Sequence, residues 1–290
     1  MAHRIVVGID GTQGGVDAMA LARRLSTPAT ELTAVSVALT DLASSSALVV
    51  GHGVHVRRQA QERLDDLTEQ EPVGLRTEVL ITHSVGAGMH TAAQRVDADL
   101  IVIGSSRRGP IGRILAGGDV NATLRGAPCP VAVAPRDYAR ADAPIATIGL
   151  GWDGGDDGER ALDVARSLAA DTGADLHAVG VVEMLTWPVS DETTTGAELA
   201  ADVEVMAGSL AALADVESTT VTGDVVEELA RFADEVDLLV VGSHQRGPVG
   251  RVLLGSTSEA LARRSTRPLV VVPRTVPPAA SAPTPARGVA

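Results

Sequence analysis

Short apolar runs alternate with amphipathic helical patterns along this chain, and the same series of runs occurs twice. In the first half the runs cover residues 4–9, 32–39, 75–81, 98–104 and 130–134. In the second half they cover residues 147–151, 176–182, 217–223, 236–242 and 268–272. The first, second, fourth and fifth runs of each half are nearly continuous, which is typical of strands that are covered on both faces. Since strands that alternate with helices form parallel sheets, the pattern predicts an α/β fold with two similar doubly wound domains, each a five-stranded parallel sheet with helices on both faces.

The two halves are copies of one unit. Residues 101–136 align without a gap with residues 239–274, and the stretch RIVVGIDGTQGGVDAMALARRL matches TIGLGWDGGDDGERALDVARSL. A repeat of this kind indicates two structural units. The joint between them is short and polar, and the chain ends in a segment rich in proline, alanine and serine that is unable to bury a core. We therefore predict domains at residues 1–140 and 141–274, followed by a disordered tail at 275–290.

Charge and composition exclude several classes of partner and chemistry. With 290 residues, a net charge of −13 and a pI near 4.9, the chain is repelled by nucleic acids and by anionic membranes. It contains no lysine, which excludes Schiff-base lysine chemistry and the lysine of a Walker phosphate loop. No apolar run approaches the roughly 20 residues of a membrane span, and the single cysteine, Cys129, fits a reducing compartment. We expect a cytoplasmic protein with no nucleic-acid or membrane partner.

Two polar features follow strands that end at the same edge of each predicted sheet. An aspartate follows the first strand of each half, Asp10 and Asp153, and a glycine-rich loop follows the fourth strand. Ligands of such sheets bind beyond the carboxyl ends of the strands, and backbone N–H groups at a helix start bind phosphate where glycines let it approach. The same residues also have structural interpretations. An aspartate after a strand turns the chain, and Ser256 with Glu259 has the spacing of a capping box.

The stretches VGID, GSHQRGPVGRVLLGSTSEAL and RPLVVVPR resemble the universal stress protein family in its tandem two-domain form, and the resemblance covers both domains. Nucleotide-binding members of that family carry a glycine, two residues, a second glycine, nine residues, a third glycine and then serine or threonine. The second half of this chain has at those positions Gly242, Gln245, Gly255 and Ser256. The first half has Gly104, Arg107, Gly117 and Gly118. Both motifs are incomplete, because a side chain replaces the second glycine in each.

The resemblance implies a site for ATP in each domain, with any Mg²⁺ carried by the nucleotide. In the second domain it implies adenine near Asp153 and Val181, and phosphates over Gly242, Gln245, Gly255, Ser256, Thr257 and Ser258. The matching residues of the first domain are Asp10, Val37, Gly104, Arg107 and Gly117. Asp119 follows there, and we predict that it is a helix N-cap whose carboxylate takes the place that a phosphate would occupy. We therefore expect ATP to bind mainly in the C-terminal domain.

The resemblance also implies that the two domains pair through their last strands, PVAVAPR and PLVVVPR. An exposed apolar edge strand needs cover, so pairing of these two edges would protect both. We predict an internal pseudo-dimer on this basis. Whether the whole chain forms a homodimer is left open.

Three functions stay open at this point: a regulatory module that binds ATP, a nucleotide-free scaffold for protein partners, and a slow adenine-nucleotide hydrolase. Hydrolysis needs carboxylates for Mg²⁺ and a group that positions water, and we expect no catalytic and no metal-binding residues. The regulatory interpretation assigns a switch to two predicted loops after the second strand of each half, 38–53 and 183–196, because long loops at strand ends tend to carry function.

A dinucleotide-binding enzyme is a further alternative. The stretch GLGWDG at residues 149–154 fits the glycine fingerprint of dinucleotide-binding domains. The corresponding stretch of the first half, VVGIDGTQGG, does not share it. We therefore favour the ATP-binding interpretation over this one.

Overall fold

The computed structural model describes residues 4–40, 47–70, 75–105, 118–141, 143–183, 192–243 and 256–274. The strands of the first domain are β1 (Arg4–Gly8), β2 (Glu31–Leu39), β3 (Arg76–Thr82), β4 (Leu100–Gly104) and β5 (Val131–Ala134). Those of the second domain are β6 (Thr147–Trp152), β7 (Asp175–Glu183), β8 (Glu217–Gly223), β9 (Leu238–Gly242) and β10 (Leu269–Val272). Each strand begins and ends within two residues of its predicted apolar run.

Helices alternate with these strands. In the first domain they are α1 (Gln13–Arg24), α2 (Ala47–Gln70), α3 (Val85–Val96) and α4 (Gly118–Leu124). In the second they are α5 (Asp156–Thr172), α6 (Glu192–Ala211), α7 (Val225–Glu235) and α8 (Ser256–Arg264). Side-chain oxygens cap several helix starts: Thr12 accepts a hydrogen bond from the N–H of Gly14, and Ser84 accepts one from Ala87. Such caps satisfy backbone donors that have no partner within the helix.

The ten strands form one sheet in the order β3-β2-β1-β4-β5-β10-β9-β6-β7-β8. All neighbours are parallel except β5 and β10, which pair antiparallel, with Ala132 opposite Val270. The predicted pairing of the last strands of the two domains is therefore confirmed. It also removes two fully buried, apolar strands from the edge of the sheet, where they would invite aggregation.

Two apolar cores cover the two faces of the sheet, and each core contains residues of both domains. One core contains residues of α1, α2, α5 and α6, and the other contains residues of α3, α4, α7 and α8. Strands β4, β5, β9 and β10 are buried nearly throughout, whereas β3 and β8, at the outer edges, are half-exposed. The predicted α/β class, with helices on both faces of each five-stranded sheet, is confirmed.

The predicted loops after β2 and β7 are partly wrong. Helix α2 begins at Ala47 and α6 begins at Glu192, so the last parts of 38–53 and 183–196 are helical. Glycines and threonines in these stretches lower helix propensity, but propensity is a weak guide once a helix packs on a sheet. The first residues, 38–39 and 183, belong to β2 and β7. Residues 41–46 and 184–191, and the predicted tail at 275–290, lie outside the described residues.

The polypeptide between the domains is held on α1 by a buried carboxylate. Asp17 is fully buried, and its oxygens accept hydrogen bonds from the backbone N–H groups of Asp137 and Ala139, at 2.8 and 2.9 Å, and from the Gln13 amide at 3.0 Å. These backbone N–H groups belong to a short 3₁₀ turn, Tyr138–Arg140, and to Asp137 at its N-cap. Its position is therefore fixed by charge-assisted hydrogen bonds, which are stronger than neutral ones.

We expect Asp17→Asn to lower the free energy of unfolding by about 1–2 kcal/mol, because the amide offers one acceptor oxygen in place of two and its NH₂ group faces a backbone donor. Urea denaturation followed by circular dichroism measures the loss. Asp202→Asn on the exposed face of α6 is the control and leaves stability unchanged. Equal stability of the two variants would show that the carboxylate of Asp17 contributes nothing to holding the turn.

Candidate functional site

The aspartates that follow β1 and β6 lie at the carboxyl edge of the sheet and shape the turn into the next helix. The Oδ1 atom of Asp10 accepts hydrogen bonds from the backbone N–H groups of Thr12 and Gly15, at 2.9 and 3.2 Å. Asp153 repeats the arrangement with Gly155 and Gly158, at 3.0 and 2.9 Å. Both aspartates therefore have the structural role that was one of the two interpretations. Both are also exposed at the strand ends, where a ligand could reach them.

The glycines that end β4 and β9 allow the neighbouring helix to approach the sheet closely. A Cβ atom on Gly104 would lie 2.7 Å from the Cα of Gly14, which is closer than real Cβ contacts, and closer still to the carbonyl of Gly14. A Cβ atom on Gly242 would lie 2.9 Å from the backbone oxygen of Asp157. The two glycines thus have a packing role in addition to the phosphate approach that the sequence suggested.

A cavity of about 480 Å³ opens at the carboxyl edge of the first domain, at the place where the sheet order reverses between β1 and β4. The cavity brings together the predicted residues Asp10, Val37 and Gly104. Gly118 and Asp119 form part of its wall, at the start of α4. Switch points of this kind are the usual ligand sites of open α/β sheets. The remaining predicted residues of this domain, Arg107 and Gly117, lie outside the described residues.

The residues that line this cavity and that the sequence did not single out include Arg63, Met89 and Ser105. Arg63 comes from α2, where it is half-buried, and its aliphatic carbons lie against Gly11. Ser105 is 7% exposed, and its buried hydroxyl oxygen has no hydrogen-bond partner among the described residues. A buried polar atom without a partner is costly, so the hydroxyl is available to a ligand. The glycine–serine pair occurs in both copies of the repeat, which was the one signal that could have identified Ser105.

The matching Ser243 of the second domain differs from Ser105 in its hydrogen bonding. Ser243 is 4% exposed, and its hydroxyl accepts a hydrogen bond of 3.2 Å from the backbone N–H of Arg274. That bond ties the end of β10 to the loop after β9. The two halves of the repeat therefore share the same strand and turn geometry, but the hydroxyl groups that could bind a ligand differ between them.

In the second domain the structure describes only some of the predicted site residues. Ser258 is buried, and its hydroxyl donates a hydrogen bond of 3.3 Å to the carbonyl of Gly242, so the first turn of α8 is fixed to the end of β9. Val181 packs on the core that contains α7 and α8. Thr257 is half-exposed in the first turn of α8. Gln245 and Gly255 lie outside the described residues, as does the side chain of Ser256, so the predicted capping box is not tested.

The prediction that Asp119 is an N-cap is wrong by position. Helix α4 begins at Gly118, which makes Asp119 its second residue. The carboxylate is exposed and belongs to the cavity wall, close to the positive end of the helix. The difference arises because Asp is favoured both at the N-cap and in the first turn, so the sequence alone did not separate the two positions. The charge lies where it was expected.

The first two glycines of the stretch GLGWDG allow a helix to pack closely on the sheet. Gly149 and Gly151 lie within β6, and Cβ atoms on them would approach the side chains of Phe232 and Leu229 to 2.7 and 3.0 Å. Both of these side chains belong to α7. In a dinucleotide site such glycines would instead face a pyrophosphate at the helix start. This observation removes the basis of the dinucleotide-enzyme alternative.

No group of three or more histidine, cysteine or carboxylate side chains that could hold a metal ion occurs in the part of the chain that the structure describes. The helices within the described ranges include none that is long and apolar enough to cross a membrane.

Comparisons with known proteins agree with this architecture. The model of the universal stress protein family matches residues 1–135 and again residues 144–273. A universal stress protein of Mycobacterium tuberculosis is 34% identical over 182 residues, which is 60% of this chain and 62% of that protein, so the match spans less than two thirds of this relative's length. A universal stress protein of Mycolicibacterium smegmatis is 32% identical over 229 residues, 75% of this chain and 76% of that protein. Among solved structures, a universal stress protein from Archaeoglobus fulgidus has the same fold, with a TM-score of 0.66 and 20% identity, covering 94% of this chain and 98% of that one.

Proposed function

The chain belongs to the universal stress protein family, and on that premise we propose that it is a cytoplasmic regulatory protein of the stress response that binds ATP, mainly in its C-terminal domain. We place the domains at 1–140 and 141–274, with a tail at 275–290. Both domains share a frame for a ligand at the carboxyl edge of the sheet, built on the turns at Asp10 and Asp153. What distinguishes the domains is the charge in the first turn of the helix that follows the glycine loop.

The position of Asp119 carries the choice of domain. Its carboxylate lies in the wall of the first cavity, and the resemblance to nucleotide-binding family members implies phosphates at the start of this helix. The residue at the matching position of the second domain is Thr257, which is uncharged and offers a hydroxyl. Like charges at close range repel by several kcal/mol at the dielectric of a protein surface, about 4 kcal/mol at 4 Å before salt screening. The second domain is therefore the better site for an anion.

Regulation fits this site better than catalysis. The groups that we assign to the ligand are backbone N–H groups, hydroxyls and a carboxylate that is already engaged with the backbone. Such groups stabilise bound phosphate in the ground state, whereas catalysis requires interactions that strengthen in the transition state. Any Mg²⁺ would come with the nucleotide, since ATP supplies phosphate oxygens to the ion. Binding would then act by favouring one conformation of the protein over another.

We expect the full-length chain to bind about one ATP, since binding sites are few per protein, and to release phosphate slowly or not at all. Calorimetry gives the stoichiometry, and mass spectrometry of small molecules released from the denatured protein shows what it carries when purified. Hydrogen exchange with saturating ATP should show slower exchange at residues 183–196.

Two results would contradict the proposal. If hydrogen exchange at residues 183–196 is the same with and without saturating ATP, binding does not order this stretch and the proposed switch is wrong. Multiple turnovers per second that are lost in Asp153→Asn would make the protein a hydrolase.

A further inference from the structure

A second cavity lies between the two domains, on the opposite edge of the sheet from the cavity of the first domain. We call it the Cys129 groove. It measures about 460 Å³, and its walls are the starts of β4 and β5, the exposed face of α5 and the end of β10. The lining is largely apolar and includes Leu100, Cys129, Val164, Leu168 and Pro273.

The internal repeat gives this groove a counterpart in the other half of the molecule, and the counterpart is filled. There the 3₁₀ turn between the domains places Tyr138 against the core that contains α1. The guanidinium of Arg24 stacks 4.3 Å from the centre of the Tyr138 ring and donates a hydrogen bond to the carbonyl of Ala141. Burial raises the pKa of Tyr138, and the nearby charges of Arg24, Asp237 and Arg267 also act on it.

The neighbours of Tyr138 match the lining of the Cys129 groove position by position. In the alignment of the repeats Asp237 corresponds to Asp99, Arg267 to Cys129 and Arg24 to Ser167, and Asp99, Cys129 and Ser167 all line the groove. The chain that fills the counterpart is the segment that follows the last strand of the first domain, β5. The corresponding segment of the second domain follows β10 and begins at Thr275, with Val276 at the position of Tyr138.

The hydrogen-bonding residues on α1 and α5 also differ between the two grooves, and the segments that follow β5 and β10 differ in a complementary way. On α1, Asp17 accepts hydrogen bonds from the backbone N–H of Ala139. The residue that matches Asp17 on α5 is Arg160, which has only donors, and the residue that matches Ala139 in the tail is Pro277, which has no N–H. In the alignment, a donor on the helix therefore corresponds to a tail position that supplies only a carbonyl acceptor.

Arg160 has a donor left for such a segment. It lines the Cys129 groove, and one of its Nη atoms bonds Asp157. Its Nε atom is buried and has no hydrogen-bond partner among the described residues. A buried donor without an acceptor is destabilising, so a backbone carbonyl that accepts from this Nε atom would remove that cost.

We propose that the start of the C-terminal tail, TVPPAAS at residues 275–281, binds in the Cys129 groove along α5 as the interdomain segment binds along α1. The described chain reaches the groove at Pro273, which lines it, and Arg274 is held there by its contact with Asp157, 3.4 Å from Nε to Oδ1. Sixteen residues follow (290 − 274), so the tail is long enough to cross the groove and leave it. Val276 and the two prolines after it cover apolar surface, and their carbonyls accept from Arg160.

The single cysteine reports on this contact, because it lines the groove and no other thiol competes. Burial raises the pKa of Cys129 to about 12, with the Asp99 carboxylate adding to the rise, so the rate of maleimide labelling is measured at one alkaline pH for all variants. Because the tail is tethered next to the groove, its effective concentration there is on the order of millimolar. If the same segment binds as a free peptide with a Kd of about 0.1 mM, the tethered tail occupies the groove most of the time and slows labelling of Cys129 about tenfold. We expect the chain that ends at Arg274, and the variant Val276→Asp, to label about tenfold faster than the full chain.

Val289→Asp is the matched control, since it adds the same charge at the far end of the tail, and it should label like the unchanged chain. A synthetic peptide TVPPAAS at millimolar concentration should restore protection to the truncated chain. Equal labelling of all four proteins, at equal melting temperature, would overturn the proposal. Protection of the thiol that persists in the truncated chain would also overturn it. Protection that increases with protein concentration would indicate that a second copy covers the groove. Protection that is lost on refolding would indicate a bound small molecule.

Discussion

Gly104→Ala is expected to lower the free energy of unfolding by about 3 kcal/mol, the upper range for overpacking a close contact. The added methyl group would overlap the backbone of Gly14 at the start of α1, and a backbone atom has no rotamer through which to move away. Helix α1 would have to shift as a body. The helix carries Asp17 and Arg24, which hold the interdomain turn, so the strain should also loosen that turn.

Gly242→Ala, at the matching position of the second domain, should cost less. Its methyl group would lie 2.9 Å from the backbone oxygen of Asp157 and 3.1 Å from the Asp157 Cβ, so a shift of a few tenths of an ångström relieves the contact. Gly118→Ala is the control, because no atom of the described residues lies within 4 Å of the added group. Urea denaturation of the three variants measures their losses of stability, which we expect to decrease from Gly104→Ala to Gly242→Ala to Gly118→Ala. A loss for Gly104→Ala no larger than for Gly118→Ala would show that the close approach at Gly104 is not a constraint.

These glycines mark the limit of what the sequence could predict at the site. The apolar runs located all ten strands, and the signal was clearest for the strands that are covered on both faces. The glycine at the end of β4 was visible in the same way, but its partner, Gly14, is far away along the chain and reaches it only through the crossover. The sequence therefore predicted where Gly104 lies and suggested phosphate approach, whereas the structure adds the helix contact.

The asymmetry between the domains was predictable only in part. The charge difference between Asp119 and Thr257 could be read from the aligned repeats, because it depends on residue type. The cavity partners Arg63 and Met89 could not, because they come from α2 and α3 and reach the site through tertiary packing. The exchange of Asp17 for Arg160 was equally visible in the alignment, but it acquired meaning only when the structure placed one against the interdomain turn and the other in an apolar groove.

The residue in the first turn of α4 or α8, Asp119 or Thr257, should decide which domain binds ATP. Exchanging the two residue types should shift ATP binding toward the first domain. This prediction rests on the proposed function. In Thr257→Asp we expect ATP affinity to fall about thirtyfold, about 2 kcal/mol, which is the Coulomb repulsion at about 5 Å reduced by salt and exposure. In Asp119→Thr we expect the first cavity to gain affinity by a similar factor, so that calorimetry detects about two ATP per chain rather than one.

Thr257→Asn separates charge from shape, because it is close to aspartate in size and carries no charge. It should retain most of the affinity, and the loss in Thr257→Asp should shrink as salt rises, since screening acts on the charge alone. Equal losses in both variants, independent of salt, would mean that the threonine hydroxyl or the local packing sets the affinity. If Asp119→Thr binds no additional nucleotide, the first domain is impaired by something other than this carboxylate. The side chain of Arg107, at the position of the missing second glycine, is then the next residue to exchange.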